Sequence, residues 1–276
     1  MTIDALTVAA ERAEAATMLA LESRADVETV TRLGIAAAEI AGGVLLAVRE
    51  DPSQYWSKAY CLGLDSPITD AVIGDVLDFY RDNGNKVAVL QIAPSALPAD
   101  WAELCARHGL AAGSFWHKLV READDDLLAP GSSLRIGPVP VADGLVWARM
   151  LMRGFGMPEE LAPMISNVLA EPGVASFGAY ADDQLVGSGT LNVVDVAGGQ
   201  RVGEFAAGCT LPEFQGRGAQ SALIAARMRA ALDAGCGLLV AETGDEQPGE
   251  HNTSLRNLLR LGFRVLYKRQ NWVWRA

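Results

Sequence analysis

The chain has 276 residues, half of them hydrophobic and 21% charged, with 23 lysines and arginines against 34 aspartates and glutamates. That composition excludes disordered, collagen-like and rod-like chains, and the length suits two domains. A net charge of −11 makes nucleic acid and anionic membrane surfaces poor partners.

No apolar run approaches the roughly 20 residues of a membrane span. The opening Met1-Thr2-Ile3-Asp4 has no basic stretch and no apolar one, so a cytoplasmic protein is expected. The charge is uneven. Residues 1–130 hold ten basic and twenty acidic side chains, and residues 131–276 hold thirteen and fourteen. A polyanionic small ligand is therefore better hosted by the second half. Cys61, Cys105, Cys209 and Cys236 form no CxxC or disulfide pattern, and His108, His117 and His251 have no metal-ligand spacing, so no metal is expected. No serine sits in a nucleophile-elbow pattern either.

In chain order, residues 1–41 are alanine-rich and read as helix, broken near 23–26 and at Gly42-Gly43. Residues 44–48 and 55–62 read as strands, 69–83 as a helix, 87–92 as a buried strand, 99–107 as a short helix and 115–121 as a strand. Residues 124–133, acidic and then rich in Pro, Gly and Ser, read as a linker. Beyond it, 134–141 reads as a strand, 144–153 and 158–170 as helices, and 174–180, 184–194 and 201–211 as three antiparallel strands. Residues 219–234 form a strong helix, 238–242 a strand, 254–261 a helix, and 264–274 one or two strands. The halves share this plan. Offset by 151, the helix of 69–84 overlays 220–235 and the strand of 87–92 overlays 238–243; offset by 153, 107–110 overlays 260–263.

The segment that carries chemistry is Leu211-Pro212-Glu213-Phe214-Gln215-Gly216-Arg217-Gly218-Ala219-Gln220-Ser221, between a strand and a long helix. Gly216 and Gly218 permit close approach, and the first-turn amides of the next helix lack internal partners and carry the positive end of its dipole. Together they make a phosphate socket with Arg217 at its rim. Neither GxxxxGK[ST] nor GxGxxG is present.

Here the sequence resembles the GNAT (GCN5-related N-acetyltransferase) superfamily, whose pyrophosphate loop takes the form [Gln/Arg]-x-x-Gly-x-[Gly/Ala]. Gln215-Gly216-Arg217-Gly218-Ala219-Gln220 fits its common variant. The resemblance runs through 134–276 and includes Ser254 to Phe263, similar to the family's helix ending in Gly-Phe. It implies an α/β fold (an α+β mixed sheet) of two tandem GNAT folds: residues 1–128 a degenerate copy without a cofactor loop, and 129–276 the acetyl-CoA-binding domain. In the first half the loop's counterpart, Leu64 to Ile68, has no glycine and offers Asp65 instead.

The resemblance further implies that acetyl-CoA lies along Cys209, Thr210 and Leu211, where the neighbouring strand splays away. Gln215, Gly216, Arg217, Gly218, Ala219, Gln220 and Ser221 would then hold its diphosphate. Glu204, eleven residues before Gln215, matches the family's general base, and otherwise is a salt-bridged strand carboxylate. The family's proton-donating tyrosine position is Leu258, which leaves Tyr267, Ser254, Asn257 or a water as alternatives. Asn252 resembles a cofactor-contacting asparagine, or else caps its helix. Glu242 lines the cleft or bonds a loop amide. Cys209 reads as a small core residue rather than a nucleophile, the tryptophans as packing, and Trp147 and Phe155 as neighbours of the acceptor. The expected activity is acetyl transfer to a primary amine of a small molecule by direct attack in a ternary complex. The alternatives are a catalytically silent acyl-CoA-binding or sensing module and an acyltransferase acting on a protein amino group.

Overall fold

A computed structural model describes residues 3–125, 130–246, 249 and 251–276. The expected domain boundary, 128/129, lies outside the described residues. The chain opens with α1 (Ala5–Ser23), N-capped by the Asp4 carboxylate on the Thr7 amide at 2.9 Å. Next comes α2 (Val27–Leu33), capped by Asp26 and closed by Gly34 at φ 62.

The alanine-rich stretch that follows is strand, not the expected helix: β1 (Ile35–Ile40) pairs antiparallel with β2 (Gly43–Val48). Ala41 and Gly42 both take positive φ, 51° and 78°, the two-residue turn whose twist suits a hairpin. Helix propensity loses here because Gly34 stops α2 and the turn delivers Ile35–Ile40 onto a ready partner strand.

The first half continues with β3 (Lys58–Tyr60), α3 (Asp70–Asp82), β4 (Val87–Gln91), α4 (Trp101–His108) and β5 (Ala111–Glu122). The second half comprises β6 (Arg135–Pro138), α5 (Gly144–Phe155), α6 (Ala162–Ile165), β7 (Val174–Ala181), β8 (Gln184–Val196), β9 (Gln200–Thr210), α7 (Ala219–Asp233), β10 (Leu238–Gly244), α8 (Thr253–Arg260) and β11 (Arg264–Arg275). The helix expected over 158–170 is broken: α6 is flanked by 3-10 turns at Glu159–Leu161 and Ser166–Ala170, and Pro163 removes a backbone donor inside it.

All the strands join one mixed sheet in the order β1-β2-β3-β4-β11-β5-β10-β9-β8-β7-β6. The two halves trade strands at its centre. The first half's last strand, β5, pairs with β10, and the second half's last strand, β11, pairs with β4; β5 and β11 also pair with each other. Helix α1 crosses the junction. Its Ala9, Ala10 and Ala13 pack on Val120, Val202, Leu238 and Val240, and methyl-sized side chains let the helix lie close to the sheet.

Candidate active site

A row of polar side chains runs across the sheet beneath α1. Glu204 on β9 stands opposite Val240 on β10, so Glu242, two residues on, shares its face. Glu242 lies directly across from Lys118 on β5, with Nζ 2.7 Å from its Oε1. From α1, Glu14 accepts a 2.6 Å bond from the same ammonium. On β11, Arg269 reaches Glu11 at 2.7 Å and Glu14 at 2.7 Å, and the Tyr267 hydroxyl donates to Glu11 at 2.6 Å. The row ends where Gln91 donates to Asn271 at 2.8 Å.

These charges set one another's protonation. Burial pushes the Glu204 carboxyl well above the usual carboxylate range, and the nearby Glu242 pushes it further. Glu242 is raised by its own burial, against the pull of Lys118. The two carboxyls share one face closely enough to act on each other's protonation, and like charges so placed disfavour ionising together. Asn192 donates to Glu204 Oε2 at 3.3 Å. Burial alone would raise Glu14 too, but Arg269 and Lys118 outweigh it and hold Glu14 at about 2.

The pair faces a cavity of about 430 Å³ lined from both halves, with Glu14, Tyr55, Lys58 and Trp116 on one side and Glu204, Glu242, Phe155 and Arg227 on the other. Its mouth follows from the strands. The parallel β9–β10 pairing ends at Phe205 and Ala241, and Ala207 then takes φ 52 at a bulge in the β8–β9 ladder. Beyond that point β9 diverges from β10, and Ala206, Ala207 and Gly208 line the opening.

Past β9 the chain turns at Gly216 (φ 75) and Gly218 (φ 80) into α7. Among the described residues, nothing accepts from the backbone amides of residues 216–221, and a Cβ on Gly216 would meet open space. Gly218 is glycine for a second reason: a Cβ there would stand 2.3 Å from the Gly131 carbonyl oxygen. Ser132 and Ser133 both donate to the Arg217 carbonyl, at 3.0 Å and 3.2 Å, and brace the loop from behind.

The cofactor-loop residues expected from sequence thus come together at the end of β9. Gln220 donates to the Cys209 carbonyl at 2.6 Å and to the Thr210 hydroxyl at 2.9 Å, and Gln215 donates to the Thr210 carbonyl at 3.2 Å. Ala219 and Leu211 are buried, and Ser221 accepts a 2.7 Å bond from Arg260. Burial lifts the Cys209 thiol to about 12, so it stays protonated against Met150 in the core. Asn252 caps α8, accepting from the Leu255 amide at 2.9 Å, and spends its amide on Thr243 and Gly244. Tyr267 stands apart from the cavity lining with its hydroxyl on Glu11. Phe155 lines the cavity, whereas Trp147 is buried with its indole on Ser188 at 2.8 Å.

Residues 146–263 match the model of the acetyltransferase (GNAT) family. Among solved structures, the chain is similar to a GCN5-related N-acetyltransferase from Kribbella flavida, at 19% identity, with 96% of this chain and 95% of that chain covered and a TM-score of 0.62. A tandem GNAT protein from the clavulanic acid biosynthesis pathway shows 14% identity over 99% and 97% of the two chains, with a TM-score of 0.59. The chain has the tandem GNAT fold. A GCN5-related N-acetyltransferase from Sphaerobacter thermophilus matches at 16% identity over 95% and 91%, with a TM-score of 0.58. No curated protein matches.

The GNAT family is one of acetyltransferases that use acetyl-CoA, and its model spans the loop, the open strand and the carboxylate pair. Sequence reasoning missed what the first half brings to the candidate site: Glu11, Glu14, Lys58 and Lys118. A signal was present in part. Glu11 and Glu14 are spaced by three on an alanine-rich helix, on the face where apolar residues belong, and Lys118 directly precedes the apolar Leu119-Val120 of β5.

Proposed function

We propose that the protein is an N-acetyltransferase that moves the acetyl group of acetyl-CoA to a primary amine of a small molecule. Residues 129–276 supply the cofactor site, and residues 1–128 are a degenerate copy that walls the acceptor side. The observation that carries this reading is the Glu204–Glu242 pair, which shares a cavity with the diverging end of β9 and stands behind a loop of unclaimed amides.

The residues fit the cofactor. The free amides of 216–221 would hold a diphosphate, helped by the positive end of α7. Residues 206–211 offer an edge where a pantetheine arm can lie, and Arg217 adds charge at the rim. Bound there, acetyl-CoA supplies a thioester carbonyl open to attack. Glu204 and Glu242, two carboxyls that disfavour ionising together, take a proton from the incoming ammonium and later return one toward the departing sulfur. Lys118 keeps Glu242 on the anionic side of that exchange. With Leu258 offering no hydroxyl, the pair serves in both directions, and Cys209 is too strongly protonated to act as a nucleophile.

The test combines calorimetric titration of CoA with a thiol-release screen over small amines and peptides. Wild type should bind CoA and release thiol with small amines. Gly216→Glu places a carboxylate among the phosphate-facing amides and should abolish binding; unchanged affinity would sink the site assignment. A silent sensor is favoured by Leu258 alone, and CoA binding without thiol release for every amine would establish it.

A further inference from the structure

The registers of the two halves match at the polar row. In the second half Glu204 stands opposite Val240, and in the first half Lys58 stands opposite Val89, with the two valines separated by the same offset of 151 that relates the halves in sequence. Glu242 pairs across with Lys118, and Gln91, again offset by 151, pairs across with Asn271. The first half therefore carries a lysine and a glutamine where the second half carries its two carboxyls. Both positions line the one cavity.

Lys58 is buried and lines that cavity with no carboxylate bonded to its ammonium among the described residues. Its Nζ sits 3.2 Å from the centre of the Tyr55 ring and 5.5 Å from that of Trp116, and among the described residues no oxygen accepts from it. The acid that most favours its charge, Glu14, already spends its carboxylate on Lys118 and Arg269, and the next, Glu22, is buried without a hydrogen-bond partner and is held protonated by that burial. A buried cation with aromatic walls and no acceptor is a receptor for an anion.

Resting on the acetyltransferase reading, we propose that Lys58 receives a carboxylate of the acceptor while the acceptor's amine lies at Glu204 and Glu242, so that the substrate class is a small amino acid rather than a simple amine. The cavity then offers a zwitterion the Lys58 ammonium for its carboxylate and the Glu204–Glu242 pair for its ammonium, while Glu14 beside the first is committed to Lys118 and Arg269, and Arg227 beside the second to backbone carbonyls. Burial depresses Lys58 to about 7, a penalty that an incoming carboxylate removes. The vestigial base position has become the handle for the other end of the substrate.

The test compares amino acids with the amines left by removing their carboxylate, in wild type, Lys58→Met and Lys58→Arg, by calorimetry on the CoA-bound protein and by kcat/KM. Wild type should prefer the amino acids. In Lys58→Met the ratio of the two should collapse by about 10- to 100-fold, the worth of a charge-assisted hydrogen bond, and Lys58→Arg should restore part of it. Thermal melts show that each variant is folded, and CoA titration reports the cofactor site separately. Equal preference in wild type, no binding of any amino acid, or an unchanged ratio in a folded Lys58→Met overturns the proposal. The acetyltransferase reading fails only if CoA does not bind or no amine releases thiol.

Discussion

At the scale of single residues, the site depends on charges that cannot be changed one at a time. Glu204→Gln removes one member of the carboxyl pair, so kcat should fall by about 10²- to 10³-fold with CoA affinity retained; an unaltered kcat would remove Glu204 from the mechanism. The raised carboxyls also fix the acid limb of the pH–rate profile, which should lie above the ordinary carboxylate range of about 4. The charge of Glu242 pushes Glu204 upward, so Glu242→Gln should move that limb to lower pH in whatever activity remains. Glu14 titrates in the opposite sense. Its folded value of about 2 lies below its ordinary one, so its contribution to stability is complete above about pH 4.5 and is lost as pH falls toward 2. Glu14→Gln leaves Lys118 and Arg269 short of a buried counter-charge and should cost about 3 kcal/mol in urea titration at pH 7, a deficit that shrinks at low pH.

At the scale of elements, the site is shaped by close approaches that single glycines permit. Gly154 on α5 faces Cys209 on β9, and a Cβ there would stand 2.7 Å from the sulfur. The sulfur is buried and lies 3.8 Å from the Met150 sulfur. Gly154→Ala should therefore push α5 off the strand that opens the site, costing about 2 kcal/mol and weakening CoA binding together with stability. A melting temperature equal to that of wild type would show that the contact is slack. The opening itself follows from β9: its pairing to β10 stops at Phe205, and the bulge at Ala207 turns the rest of the strand away. Gln215 and Gln220 satisfy the carbonyls at its end that a neighbouring strand would otherwise take.

At the scale of the whole molecule, the exchange of β5 and β11 makes the halves interdependent. Each would lose the strand beside its own penultimate one if separated, and the ion cluster of Glu11, Glu14, Lys118 and Arg269 draws on both. Denaturant unfolding should be a single transition by fluorescence and far-UV circular dichroism, and truncation before Arg264 should leave neither half folded. Two resolved transitions would mean that the halves fold separately despite the shared sheet. The same exchange carries Lys118 into the candidate site beside Glu242, where Glu14 of α1 meets it.

Much was legible in the sequence because it depends on neighbours along the chain. The glycine loop before α7 and the strands and helices of the second half, apart from the broken helix over 158–170, follow from local spacing and turn chemistry, whereas Glu204 was singled out only through the family resemblance. The shared plan of the halves was legible too, since helix, glycine and strand recur at fixed offsets. Ile35–Ile40 was misread because alanine is indifferent to periodicity, and only the partner strand across the Ala41-Gly42 turn decides its state. The partnership of Lys118 with Glu242, 124 residues apart, leaves no trace in spacing. Nor does the exchange of β5 and β11, or the placing of Lys58 where the other half has Glu204. Sequence determined most of the strands and where the glycine turn leaves helix-entry amides unclaimed; the pairing and order of those strands in the sheet decided the state of Ile35–Ile40 and which charges meet, because burial and proximity, not position in the chain, set what a buried charge can do.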